Sequence, residues 1–241
     1  AAERFSQELD KRTNGRVEVD IITQYEAVDN QPNRYLTSLG LMNHVQEGRL
    51  DMAQVYTDAL GTIEPQFMAI GMPYLFESHE HFTRMAEGSV GDYLLAGLDY
   101  HDLKVMAFTY SGGYKVIPTT GRTLSKVEDF AGMKYRGFSS PTNRYMLDLL
   151  KVDRRDSDTR IAGQRLNISE WLDKGYAEAV DSNYADARVA FFEPTKNPAT
   201  VLNETKHVML ATALVMNKDF FDKLPANLQA AVKASARVAA A

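Results

Sequence analysis

Hydrophobic and polar positions alternate with two different periods along this chain of 241 residues. The first residues repeat apolar side chains every three or four positions and end at Asn14-Gly15, which predicts a helix with a glycine stop signal. The next run alternates apolar with acidic or polar residues and predicts a strand, with Val17, Val19 and Ile21 on one face.

The following segment continues the alternation of helices and strands. Tyr25 to Pro32 has the composition of a loop, Arg34 to Glu47 has a helical pattern closed by Gly48, and Leu50 to Tyr56 is apolar enough for a buried strand. The resulting order, helix–strand–helix–strand, is typical of a doubly wound, mostly parallel α/β sheet.

A boundary between two lobes is predicted in the middle of the chain. The apolar strand Leu103 to Tyr110 runs into Ser111-Gly112-Gly113, a flexible break suited to a hinge. The long apolar strand His207 to Met216 is expected to return to the first lobe, and a terminal helix follows Pro225. We therefore expect a first α/β lobe of residues 1–117 plus 208–241, and a second α/β lobe of residues 118–207.

The second lobe begins with a helical turn at Val127 to Phe130, and a strand that ends at Arg136 follows it. A helix from Asn143 to Leu150 comes next, and the charged run Lys151 to Arg160 is interpreted as a solvated loop. Further elements are predicted by their patterns: a helix Ser169 to Tyr176 capped by Ser169, and a short strand at Ala179 to Tyr184.

Composition excludes several classes of protein. The net charge is −5, and acidic and basic residues are intermixed along the chain, which argues against a surface that binds nucleic acid. No stretch approaches the roughly 18 continuous apolar residues of a membrane span. The chain contains no cysteine, which excludes disulfides, thiol catalysis and cysteine-based metal sites. The sequence opens and closes inside helical patterns, so a signal has been removed or the chain is a fragment.

Arg136 is the strongest candidate for chemistry. It ends a strand, and the Gly137 to Thr142 turn leads from it into a helix start. At such a junction the free N–H groups of the helix and the forked guanidinium can both face an anion. The alternative is an arginine in an ordinary surface ion pair.

Other candidates follow strand ends or lie next to Arg136. Three tyrosines follow the ends of predicted strands, where ligands bind to open α/β sheets: Tyr56, Tyr110 and Tyr184. Each tyrosine offers an apolar ring face and one hydroxyl to a ligand. Asn183 can donate and accept hydrogen bonds at once, and Phe138 is placed to wall a pocket. The alternative for each tyrosine is packing in the core or hinge.

Evidence for catalysis or a metal is weak. In His79-Glu80-His81, the spacing of the two histidines suits a pair of metal ligands only if the stretch is a strand. This stretch instead has the pattern of a helix start. The serines at positions 111, 139 and 140 have no histidine nearby in sequence, and Gly112-Gly113 lacks the lysine of a phosphate loop. We therefore expect no catalytic residue, no metal and no cofactor.

The order of short motifs resembles one family, the solute-binding proteins of tripartite ATP-independent periplasmic (TRAP) transporters, which are DctP-like extracytoplasmic solute receptors. The matching segments span nearly the whole chain: Glu47 to Met52, Glu64-Pro65, Met72 to Phe76, Glu128 to Arg136, Glu170, Ala179 to Asp181, and Asn217 to Pro225. Each segment is weak alone, and their common order makes the resemblance specific.

The resemblance implies a type II periplasmic-binding-protein fold, whose two α/β lobes are joined by a hinge and close on a small carboxylate. The family's conserved arginine falls on Arg136, which forms the salt bridge to that carboxylate. Its remaining pocket positions fall on Tyr56 or Thr57, near Tyr110 and Ser111, and on the segment Ser182 to Ala185.

The chain departs from the family pattern in three places. Tyr184 replaces a glutamate used by members that bind a metal, and Ala185 stands where an asparagine is often found. The connection Lys151 to Gln164 is longer and more charged than usual. The family's opening strand and the long helix near its carboxyl end are absent from this sequence, so part of the pocket is expected to lie outside it.

The leading hypothesis is a non-enzymatic transport protein, periplasmic or tethered to the cell surface outside the cytoplasm. It would capture a small organic acid between its lobes and deliver it to TRAP membrane permease subunits, without spanning the membrane itself. The alternatives are a ligand-sensing domain of a signalling protein and a small-molecule hydrolase.

Overall fold

The computed structural model describes residues 1–22, 36–157, 159–163, 166–191 and 198–240. The predicted loop Tyr25 to Pro32 and the start of the predicted helix at Arg34 lie outside these residues. The α-helices are α1 Ala2–Thr13, α2 Ser38–Gln46, α3 Thr57–Leu60, α4 His79–Ala86, α5 Ser89–Gly97, α6 Pro141–Leu149, α7 Ile168–Asp173, α8 Tyr184–Phe191, α9 Lys218–Lys223 and α10 Ala226–Ala240. The strands are β1 Met52–Tyr56, β2 Leu103–Tyr114, β3 Ile117–Thr119, β4 Lys134–Gly137, β5 Asp153–Asp156, β6 Ala179–Val180, β7 Val201–Asn203 and β8 Met209–Asn217.

The chain divides into two compact units. The first unit contains Ala1–Ala69, Glu77–Tyr110 and Ala211–Ala241, and the second contains Ile70–Phe76 and Ser111–Leu210. The boundaries fall inside β2, after Tyr110, and inside β8, before Ala211. The segment from Ile70 to Phe76, which carries the Met72-Pro73 motif, belongs to the second unit.

The first unit is built on a sheet with the strand order β1-β8-β2. Strands β1 and β8 are antiparallel, with Met52 opposite Met216 and Tyr56 opposite Thr212. Every residue of β8 is buried, as expected for a central strand covered on both faces. Helices α1 and α10 pack on this sheet through the buried side chains Phe5, Leu9, Met106, Leu214, Met216, Phe221, Val232 and Ala236.

The strand predicted at Val17 to Ile21 is not formed. Val17 and Val19 pack against the core of the first unit, so their alternation reflects real burial. The backbone of residues 17–22 makes no hydrogen bond to any other described residue. A groove of about 610 Å³ is lined both by residues 17–22 and by residues 49–54 of the β1 region. The segment therefore pairs with no strand among the described residues, and pairing is what makes a strand.

The second unit is built on a five-stranded sheet with the order β5-β4-β6-β3-β7. Strand β4 is parallel to β5 and β6, while β3 is antiparallel to β6 and β7. Both sheets therefore contain antiparallel pairs, and the predicted mostly parallel arrangement is wrong. The predicted α/β fold class is confirmed, since helices and strands occur in both units.

Two hydrophobic clusters cover the faces of the second sheet. One contains Tyr135 and Ala179, and the other contains Val180 and Trp171. Because Ala179 and Val180 are adjacent on β6, they point to opposite faces of the sheet. The sheet is thus buried on both sides, and β4 lies next to β6 within it.

Three local predictions are corrected. The charged run after Lys151 contains strand β5, because Asp153–Asp156 pairs with β4 while Arg154 forms ion pairs with Asp148 and Asp156. Helix α7 is capped by Asn167, whose side chain accepts a hydrogen bond from the Glu170 N–H, and not by Ser169. Strand β2 continues to Tyr114 instead of breaking at the glycine pair, although both glycines adopt a positive φ, 76° and 81°, which residues with a side chain rarely take.

Candidate functional site

Arg136 lies near the end of β4, a strand flanked by β5 and β6. Its neighbour Tyr135 is fully buried in the apolar core, and alternation directs Arg136 to the opposite face of the sheet. The arginine is only 7% exposed. Helix α6 begins five residues later, with Pro141 at its start and the Ser140 hydroxyl accepting a hydrogen bond from the Asn143 N–H. The predicted strand–turn–helix around Arg136 is therefore formed.

The turn after Arg136 is held closely by its surroundings. The Asn143 side chain donates from Nδ2 to the Phe138 carbonyl at 3.1 Å. A Cβ atom on Gly137 would lie 2.4 Å from Leu147 Cδ1 and 2.6 Å from Asn143 Nδ2, so both side chains would have to shift to admit any larger residue. Asn143 thus closes the turn, and Gly137 lets α6 approach β4.

Asp181 binds the same stretch at three points. Its backbone N–H donates to the Arg136 carbonyl at 2.9 Å. Its carboxylate accepts from the Tyr135 hydroxyl at 2.6 Å and from the Phe138 N–H at 3.2 Å. Asp181 is completely buried, so these bonds replace the water that an exposed carboxylate would bind.

Lys115 completes this buried polar group. Its ammonium lies 3.7 Å from Asp181 Oδ2 and donates to Asn143 Oδ1 at 3.2 Å. It also sits 4.7 Å from the centroid of the Phe138 ring, and the Arg136 guanidinium carbon lies 5.9 Å from the same centroid. We refer to Lys115, Tyr135, Phe138, Asn143 and Asp181 as the Arg136 support cluster.

The support cluster was not predicted from the sequence, although one signal was present. Lys115 interrupts the otherwise apolar run that leads into β3, and a lysine at a core position implies a buried partner. Its partner, Asp181, is 66 positions away and is brought beside it by the sheet order β4-β6-β3. The spacing of Lys115 and Asp181 along the chain does not predict that they form a pair.

The electrostatics of the cluster keep Asp181 ionised. Burial alone would raise the pKa of Asp181, but the charge of Lys115 and the hydrogen bonds from Tyr135 and Phe138 outweigh it, and the pKa is lowered. Burial and the adjacent Asp181 carboxylate raise the pKa of Tyr135 well above its usual value. The tyrosine therefore stays protonated and acts as a donor.

His207 is another buried basic side chain of the second unit. Burial lowers its pKa to about 4, with Asp181 opposing that shift and Lys115 adding to it. Its Nδ1 is hydrogen-bonded to the Thr205 hydroxyl at 2.6 Å. At neutral pH the ring is therefore uncharged.

Tyr56 and Thr57 lie at the end of β1, as predicted, whereas Tyr110 lies inside β2, which continues to Tyr114. Tyr56 is the last residue of β1, and Thr57, the first residue of α3, is buried and donates to the Ala211 carbonyl at 3.3 Å. The Tyr110 hydroxyl lies 2.6 Å from the Thr83 hydroxyl, and its ring meets His79 edge-on at a centroid distance of 5.0 Å.

The remaining candidates lie in the second unit. Ser111 continues β2, while Asn183 is buried and caps α8 by accepting a hydrogen bond from the Asp186 N–H at 2.8 Å. Tyr184 is 39% exposed, and partial burial together with a hydrogen bond to Glu204 raises the pKa of its hydroxyl. A Cβ on Gly112 would lie 2.9 Å from the Asn183 side chain, so Gly112 packs directly against this candidate.

Two negative observations apply to the part of the chain that the structure describes. No group of three or more His, Asp or Glu side chains is arranged to hold a metal ion. His79 and His81 begin helix α4, as the sequence predicted, with the Ser78 hydroxyl as its cap. Among these same residues, no helix has the length and apolar character needed to cross a lipid bilayer.

Comparison with solved structures identifies the fold of this chain. The chain aligns over 99% of its length with a TRAP periplasmic solute-binding protein from Chromohalobacter salexigens with bound D-glucuronate, at a TM-score of 0.83, 20% identity and 73% coverage of that chain. A sugar acid binding protein from Advenella mimigardefordensis in complex with galactonate aligns at a TM-score of 0.82 and 17% identity, covering 99% of this chain and 71% of that one. The fold is therefore the α/β type II periplasmic-binding-protein fold that the resemblance implied.

The family model for DctP, the bacterial extracellular solute-binding protein family 7, matches residues 1–157 and 189–241. This chain belongs to that family, the DctP-like solute-binding proteins of TRAP transporters. The resemblance drawn from the ordered motifs is thereby confirmed.

Curated relatives show two kinds of ligand in their names. The 2,3-diketo-L-gulonate-binding periplasmic protein YiaO of Escherichia coli is 24% identical over 99% of this chain and 67% of its own length. The C4-dicarboxylate-binding periplasmic protein DctP of Rhodobacter capsulatus is 24% identical over 95% of this chain and 63% of its own length. The chain thus spans about two thirds of the length of these relatives. Both relatives are named as periplasmic binding proteins.

Proposed function

We propose that this chain is part of an extracytoplasmic receptor that captures a small organic acid and delivers it to the membrane permease of a TRAP transporter. The observation that carries the proposal is Arg136, a buried arginine at a strand end on a rigid support, in a family of solute-binding proteins. Family relatives named for periplasmic binding of sugar acids or C4-dicarboxylates support both the ligand class and the location.

Arg136 is proposed to bind the carboxylate of the ligand. A guanidinium remains charged at all physiological pH values and presents two parallel donors that match the two oxygens of a carboxylate. Additional ligand contacts are proposed for Tyr56, Thr57, Tyr110, Ser111, Phe138, Asn183 and Tyr184. No bond in the ligand is made or broken, and release to the permease follows binding.

The first test replaces Arg136 by alanine or lysine and measures ligand affinity by calorimetry with D-glucuronate, galactonate and succinate. Loss of a buried charge partner costs about 2–5 kcal/mol, so we expect Arg136→Ala to weaken binding by about 30-fold to several-thousand-fold. Arg136→Lys retains the charge without the paired donors and should give an intermediate loss.

The matched control is Arg122→Ala, which removes a half-exposed arginine of the second unit paired loosely with Glu178 at 3.9 Å. It should bind as the wild type does. An Arg136→Ala variant with wild-type affinity for every acid of the panel would contradict the site assignment. A thermal melt of each variant without ligand checks that the fold is retained.

A further inference from the structure

Phe138 is the first residue after strand β4, and its backbone is held by side chains rather than by a neighbouring strand. The pairing of β4 with β5 ends at Gly137, which lies opposite Asp156. Beyond that point the Phe138 N–H donates to Asp181 Oδ2 at 3.2 Å, and the Phe138 carbonyl accepts from Asn143 Nδ2 at 3.1 Å. Both polar backbone groups of Phe138 are therefore held by buried side chains from elsewhere in the second unit.

These two bonds matter because a glycine precedes Phe138. Glycine has the widest range of backbone conformations of any residue, so β4 by itself does not determine the path of the chain after Arg136. A bond from outside the turn selects one path. The Phe138 ring follows that path, and its centroid lies 5.9 Å from the guanidinium carbon of Arg136. At this distance the ring attracts the guanidinium, so the position of the turn influences the arginine.

Asn143 ties this turn to helix α6. It is 4% exposed and lies in the first turn of the helix, where its N–H donates to the Ser140 hydroxyl at 3.3 Å. Its Oδ1 accepts a hydrogen bond from Lys115 Nζ at 3.2 Å, which requires only an N–H on the lysine and not its charge. Each polar atom of the Asn143 side chain thus has a partner within the fold, as expected for a residue that orients others.

We propose that Asn143 is a positioning residue for the carboxylate receptor: by holding the Phe138 carbonyl, it fixes the turn after Arg136 and keeps the guanidinium oriented toward a ligand. This role rests on the proposed function, in which Arg136 binds the ligand carboxylate. A planar guanidinium makes both of its parallel hydrogen bonds to a carboxylate only in one orientation. It is therefore sensitive to a displacement of its surroundings, whereas a lysine on its flexible stem is much less so.

The size of the effect follows from the population of the binding orientation. Without the Asn143 amide, the turn can occupy other conformations, and the apparent affinity falls in proportion to the fraction of molecules that keep the binding one. One hydrogen bond to a buried carbonyl shifts such an equilibrium by about 5- to 30-fold. We expect Asn143→Ala to weaken ligand binding by this factor.

The experiment measures affinity by calorimetry at pH 7.5 on the 241-residue chain. The ligand is D-glucuronate, galactonate or succinate, whichever the wild type binds most tightly. Asn143→Ala is made both in the wild type and in the Arg136→Lys background, which forms a double-mutant cycle. We expect a loss of about 5- to 30-fold in the wild type and of less than about threefold in the Arg136→Lys background, because the lysine stem tolerates a displaced turn. A residue that supported only the fold would cost the same factor in both backgrounds.

The matched control is Asn167→Ala, since Asn167 also supports a helix start in the second unit. Its side chain caps α7 by accepting a hydrogen bond from the Glu170 N–H at 3.0 Å. Its removal should lower the melting temperature and leave the affinity unchanged, which separates loss of stability from loss of orientation. A loss of affinity as large as that of Asn143→Ala would overturn the proposed role.

Asn143→Asp serves as the second variant if Asn143→Ala does not fold. It keeps the size of the side chain and the acceptor for Lys115, and an acidic residue is favourable in the first turn of a helix. As a carboxylate it cannot donate to the Phe138 carbonyl. Its charge repels an anionic ligand equally in both backgrounds, so the difference between the backgrounds measures the lost donor. If neither variant folds, Asn143 is required for folding and the proposed role is wrong.

The outcome is separable from that of the proposed function. If the wild type binds none of the three acids, or Arg136→Ala binds as the wild type does, the proposed function fails and the role of Asn143 fails with it. If Arg136→Ala loses binding while a folded Asn143→Ala keeps the wild-type affinity, or loses the same factor in both backgrounds, only the role of Asn143 is wrong.

Discussion

At the scale of single residues, Gly137 decides how closely helix α6 approaches the strand that carries Arg136. Its missing side chain makes room for Leu147 and for the Asn143 amide, which in turn holds the Phe138 carbonyl. The glycine is therefore required by a close approach and not by an unusual backbone angle. The orientation of Arg136 depends on a residue that has no side chain of its own.

We expect Gly137→Ala to destabilise the protein by about 1–3 kcal/mol, because an added methyl group forces Leu147 and Asn143 to move in a packed site. Urea unfolding followed by circular dichroism measures this. The control is Gly97→Ala, at the end of α5, where the new Cβ would meet nothing nearer than Glu64 at 3.5 Å. That variant should be neutral or more stable by up to about 1 kcal/mol. Equal effects at the two positions would show that packing at Gly137 is unimportant.

At the scale of elements, the terminal helices α1 and α10 are held by the core of the first unit. Phe5 and Leu9 of α1 are buried against Val232 and Ala236 of α10, residues that are more than 220 positions away in sequence. Neither helix is stabilised by sequence neighbours alone, since helical stability in proteins comes mainly from packing of an apolar face. The first and last helices of the chain therefore depend on each other.

We predict that Phe5→Ala lowers the free energy of unfolding by about 3–5 kcal/mol, the usual cost of removing a buried phenylalanine side chain. Phe5 is 4% exposed. Tyr100→Ala is the matched control in the same unit, since Tyr100 is 91% exposed and its loss should change stability by less than about 0.5 kcal/mol. Chemical denaturation of both variants provides the comparison. A loss below 1 kcal/mol for Phe5→Ala would contradict the importance of this packing.

At the scale of the whole molecule, each unit has its own sheet and its own core, and the chain enters each unit more than once. The polar groups buried in the second unit make its stability depend on pH. His207 has a pKa of about 4 in the folded protein, below the ordinary value of 6.5. The unfolded chain therefore binds more protons between these values, and stability falls as the pH is lowered through that window.

The expected loss from His207 between pH 7 and pH 4.5 is about 2–3 kcal/mol. Urea unfolding at several pH values measures it, and His207→Asn should flatten the dependence in this range. A wild-type slope in the variant would contradict the assignment. Asp181 acts in a separate window: its lowered pKa means that its contribution is lost only as the pH falls below the ordinary aspartate value of 3.8.

Local patterns predicted the elements that their own residues stabilise. Alternation predicted strand β4, a long apolar run predicted the buried strand β8, helical periodicity predicted α1, α6 and α10, and the order of short motifs identified the family. These features were accessible because each depends on residues that are close together in sequence. Arg136 was found for the same reason, as its strand, turn and helix are contiguous.

Features that depend on distant partners were decided by the tertiary structure. The segment at Val17 has the pattern of a strand but pairs with no strand among the described residues, whereas the charged run at Asp153 becomes a strand because β4 pairs with it. Lys115 and Asp181 meet only because three strands of the second sheet are adjacent. The sequence by itself determined the family, the fold class and the arginine, whereas the tertiary structure decided the buried charges that support it, because electrostatic pairing depends on distance in space.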